Sequence, residues 1–383
     1  MPVCEKYVIR TISVTAIFFI LLSCNTNSKS NENNSSEKLY SSYEDGESSF
    51  LTITVDVNQN DSLSLSYIAD EVKEVKLETT GWPLARKKII WSESYILLLV
   101  VEQSQKSHIL LFDNNGRLIN QMDSKGQGVG EFYTIKDIAA DFKNKLIYVY
   151  AKSKIICYNF DGSFVNESSP IGEVGRLHFL NNKLFYFVDP IETKNVTEYK
   201  ARNMIYEIHN NLEIIDSIKI RDIDLNTSNY MTLDDYNYLT CLGDEIYLSH
   251  NNFLNFLLHK PIIIDTLYIL KNKSLIPHLR ISYSDNNKKT EGKISILFMY
   301  RNTRFVFTKH FTVGGFGFFC YDMKEKTGYY MKDGVKDDIR TGEIVDIFPV
   351  DSDANKFYYL HTNPVDSSKN KSNLILYIGT LKK

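Results

Sequence analysis

A glycine-rich segment, GQGVGEF, is one place in the chain where residue types and spacing could carry chemistry. The residues that define this motif are Gly126, Gly128, Gly130, Glu131 and Phe132. A glycine loop of this kind can cradle a phosphate group where a helix follows and its N-terminus faces the anion. Here a strand-like run follows at Ile135–Ala140. The spacing therefore predicts a structural turn, with Glu131 as a local cap of backbone amides.

Eight histidines are spread along the chain and are candidate metal ligands. They are His108, His178, His209, His250, His259, His278, His310 and His361. None forms H-E-x-x-H, H-x-H or another spacing typical of metal ligands. Most are therefore expected on the surface or as hydrogen-bonded core residues. A propeller channel can still gather ligands from distant positions, so a metal site built in that way stays open.

Other catalytic motifs give no assignment either. The acidic clusters at 234–235 and 333–338 could bind calcium, but the second lacks the alternating carboxylates and distal Glu of a calcium loop, so solvated loops are predicted at both. No G-x-S-x-G elbow and no S-x-x-K motif with its lactamase companions occurs. The sequence therefore assigns no catalytic, cofactor-binding or metal-binding residue, and the cofactor stays unknown.

The N-terminus carries a targeting signal that ends in a cysteine. Lys6 and Arg10 precede the apolar run Thr11–Leu22, which is too short to span a membrane comfortably. The run ends in Leu-Leu-Ser-Cys, which resembles the bacterial lipobox and implies cleavage before Cys24 and lipidation of its thiol. We predict a lipoprotein signal peptide at residues 1–23. The alternative is a plain signal peptide with an accidental cysteine.

The segment after Cys24 predicts a tether. Residues 24–49 are polar and begin with an Asn/Ser-rich stretch that cannot bury enough surface to fold, so they are expected to link the lipid anchor flexibly to a domain at 50–383. Asn25, by resemblance to enterobacterial sorting, favours the outer membrane; the periplasmic and the outer face both stay open. The protein is thus predicted to contact the membrane through an N-terminal lipid anchor.

Composition excludes one class of partner and favours β-structure. The net charge is −3, from 44 basic and 47 acidic residues, and the lysine runs are short and scattered, so a nucleic-acid surface is not expected. The 25 Tyr and 22 Phe fit pleated, half-buried strands. Three cysteines outside the N-terminus, Cys157, Cys241 and Cys320, are too widely spaced for a disulfide framework or a metal pair.

The segment 125–165 reads as one repeat unit. Four short strand-like runs joined by tight turns within about 45 residues have the size of a propeller blade. The aromatic at the end of the third run recurs at intervals of 46 to 62 residues. The six copies are Phe112, Tyr158, Tyr206, Tyr268, Tyr321 and Tyr377. We predict an all-β fold, a six-bladed β-propeller of four-stranded antiparallel blades; a two-sheet sandwich would not require six similar units.

The last copy is incomplete. After Tyr377 only six residues remain, which leaves no room for an outermost strand. The early alternating run Phe50–Val57 has no place in the first copy. We therefore predict that an N-terminal strand, Phe50–Val57, completes the last blade, closes the ring and removes an exposed edge.

The glycine segment and the blade after it are similar to a known group. GQGVGEF with the downstream IAADFKNKLIYVYAKSKIICYNFDG resembles the NHL-type repeat, and more closely the six-bladed, NHL/TolB-like propeller lipoproteins of Bacteroidetes. The upstream VKEVKLETTG resembles the start of their first blade. Val129 stands where that group has Pro, and Tyr150 where NHL blades place Asp. The resemblance implies a fold and a lipid-anchored envelope location, and no activity.

Two functions stay open. The first is a non-catalytic binding or interaction module of the cell envelope, with another envelope protein, a glycan or a peptide as ligand. The second is an envelope hydrolase or lyase acting on glycans or peptides at a channel-mouth site, with or without a divalent metal. Carboxylates or histidines converging from three or more inner strands would favour the enzyme; a merely polar or apolar channel would favour the binding module.

Overall fold

A computed structural model describes most of the chain from residue 42 onward. The described residues are 42–45, 50–56, 60–78, 86–102, 106–123, 126, 128–171, 175–188, 191–193, 198–226, 238–249, 265–284, 295–312, 315–362 and 374–383. The predicted signal peptide, Cys24 and most of the predicted tether lie outside them. Within these ranges, the only helix is four residues long, and no helix is long and apolar enough to cross a membrane.

The described elements are almost all β-strands. The N-terminal elements are β1 (Ser42–Asp45), β2 (Phe50–Asp56), α1 (Leu65–Ile68) and β3 (Ala69–Leu77). Blade 1 holds β4 (Arg86–Trp91), β5 (Tyr95–Val101), β6 (Ser107–Asp113) and β7 (Leu118–Asp123). Blade 2 holds β8 (Ile135–Asp141), β9 (Leu146–Ala151), β10 (Lys154–Asn159) and β11 (Phe164–Glu167). Blade 3 holds β12 (Gly175–Leu180), β13 (Lys183–Val188), β14 (Ile191–Thr193), β15 (Glu198–Ile208) and β16 (Ile214–Asn226).

The second half continues the same pattern. Blade 4 holds β17 (Tyr238–Leu242), β18 (Glu245–Ser249), β19 (Thr266–Lys271) and β20 (Ser274–Ser284). Blade 5 holds β21 (Ser295–Arg301), β22 (Phe305–Thr312), β23 (Gly315–Asp322) and β24 (Thr327–Met331). A two-stranded ribbon, β25 (Val335–Lys336) and β26 (Ile344–Val345), follows. Blade 6 holds β27 (Phe348–Val350), β28 (Asp353–Thr362) and β29 (Leu374–Leu381).

These strands form the predicted six-bladed β-propeller. Each blade is built on four antiparallel strands; blade 3 carries the short β14 beside β15, and blade 4 is extended by β1 and β2. The six aromatic residues that predicted the repeat all lie on the third strand of their blade: β6, β10, β15, β19, β23 and β29. The fold class is therefore confirmed, and so is the number of blades.

An N-terminal strand closes the ring, but it is not the predicted one. Strand β3 pairs antiparallel with β29, with Val75 opposite Leu376, and so supplies the fourth strand of blade 6. The prediction that Phe50–Val57 closes the last blade is wrong. Strand β2 instead pairs parallel with β20 of blade 4, with Leu51 opposite Leu279, and β1 pairs antiparallel with β2.

The segment VKEVKLETTG, which contains most of β3, resembles the start of the first blade in related propellers. In this chain blade 1 consists of β4 to β7, and β3 belongs to blade 6. Alternation predicts a half-buried strand but not the strand beside it. Strand β1 also lies within residues 24–49, so ordered structure begins before Phe50.

The segment before β3 joins blade 5 to blade 6. The Tyr67 hydroxyl donates a 2.9 Å hydrogen bond to Asp322 Oδ2 at the end of β23. Farther along, the Lys382 amide donates to the Ile68 carbonyl over 2.8 Å, beyond β29. Burial raises and the Arg304 guanidinium lowers the pKa of Asp322, and the net pKa lies below its ordinary value. The ring is therefore closed both by strand β3 and by the hydrogen bonds of the short segment that precedes it.

The core is divided among the blade interfaces. Six clusters of buried apolar residues each lie between two neighbouring blades, one for each interface of the ring. Tyr and Phe supply many of the largest fully buried side chains, for example Tyr186, Phe298 and Phe307. The aromatic enrichment is therefore used mainly for packing blade against blade.

Candidate functional site

A cavity opens at one end of the ring's centre. The first strands of neighbouring blades contact one another, β4 with β8, β8 with β12 and β12 with β17, so they are the innermost strands. Where the first strands of blades 1, 2, 3 and 6 turn into the second strands, they surround a cavity of about 360 Å³. We call this cavity the channel mouth.

Short polar turns form its rim. The turn between β12 and β13 is the two-residue loop Asn181–Asn182, with φ of +50° and +60°. Asn tolerates this left-handed backbone, which matches the twist of a tight hairpin. In blade 2, Asp141 Oδ1 accepts a 3.0 Å hydrogen bond from the Asn144 amide and Oδ2 accepts one of 2.7 Å from its side chain. The Asp141 carboxylate is therefore used to hold its own turn.

A buried ion pair lies below the rim. Lys88 Nζ on β4 is 3.1 Å from Asp137 Oδ2 on β8 and donates to the Leu177 carbonyl on β12 over 2.7 Å. The Leu177 amide donates to the same Asp137 oxygen over 2.7 Å. Burial alone would raise the pKa of Asp137, but Lys88, Arg176 and the Leu177 amide together hold it below its ordinary value. Blades 1, 2 and 3 are thus joined around one ionised carboxylate.

A second pair crosses the ring. His178 Nδ1 on β12 lies 3.1 Å from Asp351 Oδ2, in the turn after β27. The Asp351 carbonyl also accepts a 2.8 Å hydrogen bond from the Cys241 amide on β17. The first turn of blade 6 therefore reaches over to blades 3 and 4. Because a carboxylate only accepts hydrogen bonds, Nδ1 carries the proton that is shared with Asp351.

The other nitrogen of this imidazole is closed off. His178 Nε2 is buried and has no hydrogen-bond partner in the described part of the chain. An imidazole oriented by a carboxylate is the arrangement of a general base, but such a base must come within hydrogen-bond reach of its substrate. His178 does not offer Nε2 to the cavity surface. The pair therefore serves to hold the mouth together.

Inner-strand convergence is only partial. Asp137 and His178 come from two inner strands, and Asp351 comes from a turn. Asp137 pairs with Lys88, and His178 pairs with Asp351. Within the described ranges, no group of three or more His, Cys, Asp or Glu side chains could hold a metal ion.

Aromatic side chains give the mouth an apolar wall. One comes from each of the four contributing blades: Trp91, Phe142, Phe179 and Tyr358. All four are half-buried. Phe179 stacks on Tyr148 with ring centroids 5.9 Å apart. The wall is therefore held in place from behind and presents fixed apolar surface to the cavity.

The glycine segment lies elsewhere, between the outer strands of blades 1 and 2. It connects β7 to β8, and a strand follows it. The Gly128 amide donates a 3.0 Å hydrogen bond to Glu131 Oε2, and the Gly130 amide donates one of 2.9 Å to Glu167 Oε2. Gly130 has φ of +66°, and a Cβ there would lie 2.6 Å from the Phe164 ring. Only glycine fits that position without a shift of its neighbours.

The same turn borders a second cavity, of about 420 Å³, between β7 and the outer part of blade 2. Phe132 is buried there and packs edge-on against Tyr158, with ring centroids 6.0 Å apart. The Tyr158 hydroxyl donates a 2.7 Å hydrogen bond to the Gly130 carbonyl. The turn and the channel mouth are separate features of the molecule, and no glycine of the segment lines the mouth.

Sequence reasoning missed most of the mouth. His178 was one of eight histidines without a motif, and Lys88, Asp137 and Asp351 were not singled out. These four residues share only their place in the repeat, because each lies in or just after the first strand of its blade. Superposing the six repeats would have brought these positions to the ring centre. The three cysteines beyond the N-terminus are buried and free of disulfides: Cys157, Cys241 and Cys320.

Comparison with solved structures agrees with the fold. The chain is similar to a Bacteroides fragilis protein described as exported, with 15% identity and a TM-score of 0.55 over 87% of this chain and 100% of that one. It is also similar to the propeller domain of a trilobed protease from Pyrococcus furiosus, with 10% identity and a TM-score of 0.40 over 76% and 81% of the two chains. At these identities the likeness shows the fold alone, and the second is too low to carry an argument.

The predicted resemblance to the six-bladed propellers of Bacteroidetes is confirmed at the level of fold. No curated protein matches the chain. The domain described as DUF4934, a domain of unknown function, matches residues 50–378. Because this match spans most of the chain, the protein belongs to the DUF4934 family.

Proposed function

We propose that this protein is a non-catalytic binding module of the bacterial cell envelope, which holds a ligand at the channel mouth and does not transform it. The observation that carries the proposal is the His178–Asp351 pair, 3.1 Å apart, which spans the ring while His178 Nε2 stays buried. A rigid cavity remains above it, and its lining charges are largely committed to the protein itself. Such a cavity can select a ligand by shape and hydrogen bonding.

Catalysis would need a group free to act on the ligand. Asp137 is held ionised and pairs with Lys88, and Asp141 accepts two hydrogen bonds from Asn144. Neither carboxylate is free to act as a nucleophile or as a general acid. The mouth therefore has the chemistry of recognition, with fixed polar groups and aromatic walls.

The envelope location rests on two supports. One is the Leu-Leu-Ser-Cys sequence that ends at Cys24, and the other is the similarity to a Bacteroides fragilis protein described as exported. We propose that Cys24 is lipidated and tethers the propeller to the membrane, in the outer membrane by the sorting argument from Asn25. The candidate partners are a glycan, a peptide or another envelope protein.

Binding without turnover is tested with the purified protein and a pool of small molecules from the cell envelope. Components retained in equilibrium dialysis are identified by mass spectrometry, with the parent protein beside a Trp91→Ala variant. We expect retained components to be recovered unchanged and to be lost from the variant. Conversion of a retained component by the parent but not by a His178→Asn variant would overturn the non-catalytic proposal.

The anchor is tested by growing cells with an alkyne-labelled fatty acid. We expect label on the parent protein and none on a Cys24→Ala variant, which should leave the membrane fraction. Label that persists in the variant would contradict lipidation at Cys24.

A further inference from the structure

We propose that the channel mouth binds a neutral carbohydrate of mono- or disaccharide size. This inference rests on the proposed function, because it names the ligand class of that same site. Three properties of the cavity point to this class: its aromatic walls, the way its charges are committed, and the polar side chains left at its rim.

The aromatic walls suit a ligand with an apolar face. Trp91, Phe142, Phe179 and Tyr358 approach the cavity from four blades. Their positions are fixed by stacking, for example Phe142 on Tyr95 at 6.2 Å and Tyr358 on Phe348 at 5.7 Å between ring centroids. A sugar ring has a C–H face that packs on such rings while its hydroxyls point away from them. Rigid aromatics give this contact area at little entropic cost.

The site is unsuited to a cationic ligand. The Trp91 ring, the best cation–π acceptor among the side chains, already has the Lys356 ammonium 5.1 Å from its centroid. Glu93 holds this lysine in an ion pair of 3.1 Å. A second cation on the same ring would be repelled by the first.

The site is also unsuited to an anion. Two lysines and two aspartates line the cavity, so its formal charge is balanced. They are Lys88, Lys143, Asp141 and Asp351. Lys88 is bonded to Asp137 and to the Leu177 carbonyl, and Lys143 is exposed to solvent. Anion sites need several converging cationic donors or a helix N-terminus, and one exposed lysine supplies neither.

Besides Lys143, the rim carries polar side chains that are short and neutral. Asn182 and Ser352 lie on the rim from blades 3 and 6, and both are exposed. An amide and a hydroxyl can each donate and accept, which matches sugar hydroxyls. The cavity volume of about 360 Å³ lies near the lower end of the ~300–1,000 Å³ found for ligand pockets. That size favours one or two rings over a longer oligomer.

The proposal is tested by titrating the purified full-length protein with defined compounds. The neutral sugars are glucose, galactose, mannose, N-acetylglucosamine, lactose and cellobiose; glucuronic acid, glucosamine and dialanine represent the charged and peptide classes. Binding is measured by calorimetry and by tryptophan fluorescence. The chain has two tryptophans, Trp82 and Trp91, so a signal that persists in Trp82→Phe belongs to the mouth.

A matched pair of variants checks the location. Asn182→Gly removes a rim amide at a φ of +60° that glycine also adopts. Asn272→Gly makes the same change at a φ of +49° in the β19–β20 turn, which does not line the mouth. We expect Asn182→Gly to weaken sugar binding about fivefold, the value of one hydrogen bond, and Asn272→Gly to leave it unchanged.

The outcomes separate the two proposals. Saturable binding of a neutral sugar that is weakened by Asn182→Gly alone supports the carbohydrate inference. Binding of only a charged compound or the dipeptide at the mouth overturns the inference and leaves the binding module intact. Binding that both variants weaken equally, or that neither weakens, overturns the inference at this site. If no compound of any class binds, the carbohydrate inference is overturned. If no component of the envelope pool is retained either, the proposed function is overturned as well.

Discussion

Strands β2 and β3 follow each other along the N-terminal part of the chain, yet they belong to different blades. β3 pairs antiparallel with β29 and completes blade 6, which has only three other strands. β2 pairs parallel with β20 and adds to blade 4, which already has four. β2 alternates apolar and polar residues, whereas the buried residues of β3 recur at spacings of three, three and two. Both strands bury apolar side chains, Val72 and Val75 on β3 and Ile53 and Val55 on β2.

β3 is therefore required for closure of the ring, whereas β2 only adds an outer strand to a blade that is complete without it. Without β3, β29 would expose an unpaired edge and the ring would end in a gap between blades 6 and 1. Without β2, blade 4 would keep β17 to β20 and the ring would still close. The hydrogen-bonding neighbour, and not the local pattern, sets the structural importance of each strand.

The largest effect is expected from Val75→Asp on β3. Val75 is 2% exposed and packs between blades 6 and 1. An unpaired buried carboxylate costs several kcal/mol, a large part of the ~5–15 kcal/mol that stabilises a typical domain. We expect loss of cooperative urea unfolding, followed by circular dichroism. The neighbouring Lys76→Asp, whose side chain is 74% exposed, should change stability by less than about 1 kcal/mol.

The same substitution on β2, Val55→Asp, should detach that strand and leave the ring folded. Val55 is fully buried between blades 4 and 5, so we expect a loss of about 2–5 kcal/mol with unfolding still cooperative. Hydrogen exchange should rise at β20, β2's neighbour, and stay slow at β29. Fast exchange at β29 in this variant would mean that β2 is as necessary for closure as β3.

A glycine on β29, the strand that pairs with β3, gives a test with a smaller expected loss of stability. A Cβ on Gly379 of β29 would clash with the ring of the fully buried Phe357. Gly379→Ala should therefore cost about 1–3 kcal/mol by overpacking, measured as a lower denaturation midpoint. Phe357→Leu in the same chain should recover part of the loss. Costs that simply add would contradict this clash as the cause.

The smallest effect concerns pH and the interface between blade 4, which carries β2, and blade 5. His310 is fully buried, and its ring nitrogens lie 3.3 Å from the Tyr283 hydroxyl and 3.0 Å from the Tyr330 hydroxyl. Burial lowers the pKa of His310 to about 3. Below the ordinary pKa of about 6.5, the unfolded chain takes up a proton that the folded chain refuses, so stability falls as pH falls.

Between pH 7 and pH 5 this contribution amounts to about 2 kcal/mol, measured by urea unfolding at each pH. His310→Gln should remove it from the pH slope, whatever its effect on stability at pH 7. His209→Gln, at an exposed position, is the control and should keep the parent slope. An unchanged slope in His310→Gln would show that other groups cause the acid sensitivity.

Much of the architecture could be predicted from one recurring side chain. An aromatic on the third strand marks every blade, because it packs into the interface with a neighbouring blade. The neighbour of Phe50–Asp56 could not be predicted in this way. A strand that alternates apolar and polar residues could pair with either β20 or β29. The pairing partner is decided by where the chain before and after the strand can run.

The channel mouth was still less accessible to sequence reasoning. His178 and Asp351 are separated by 173 positions and meet because blades 3 and 6 face each other across the ring. No spacing along the chain encodes that contact. The glycine turn, in contrast, is local: Gly128 and Glu131 are three positions apart and bond within one turn.

By itself, the sequence determined the repeat, the number of blades and the need for an N-terminal strand to complete the last one, since these follow from local periodicity and the count of strands. Only the tertiary structure decided that β3 closes the ring, that β2 extends blade 4, and that Lys88, Asp137, His178 and Asp351 meet at its centre. The physical reason is that strand pairing and ring closure bring together residues whose separation along the chain carries no signal.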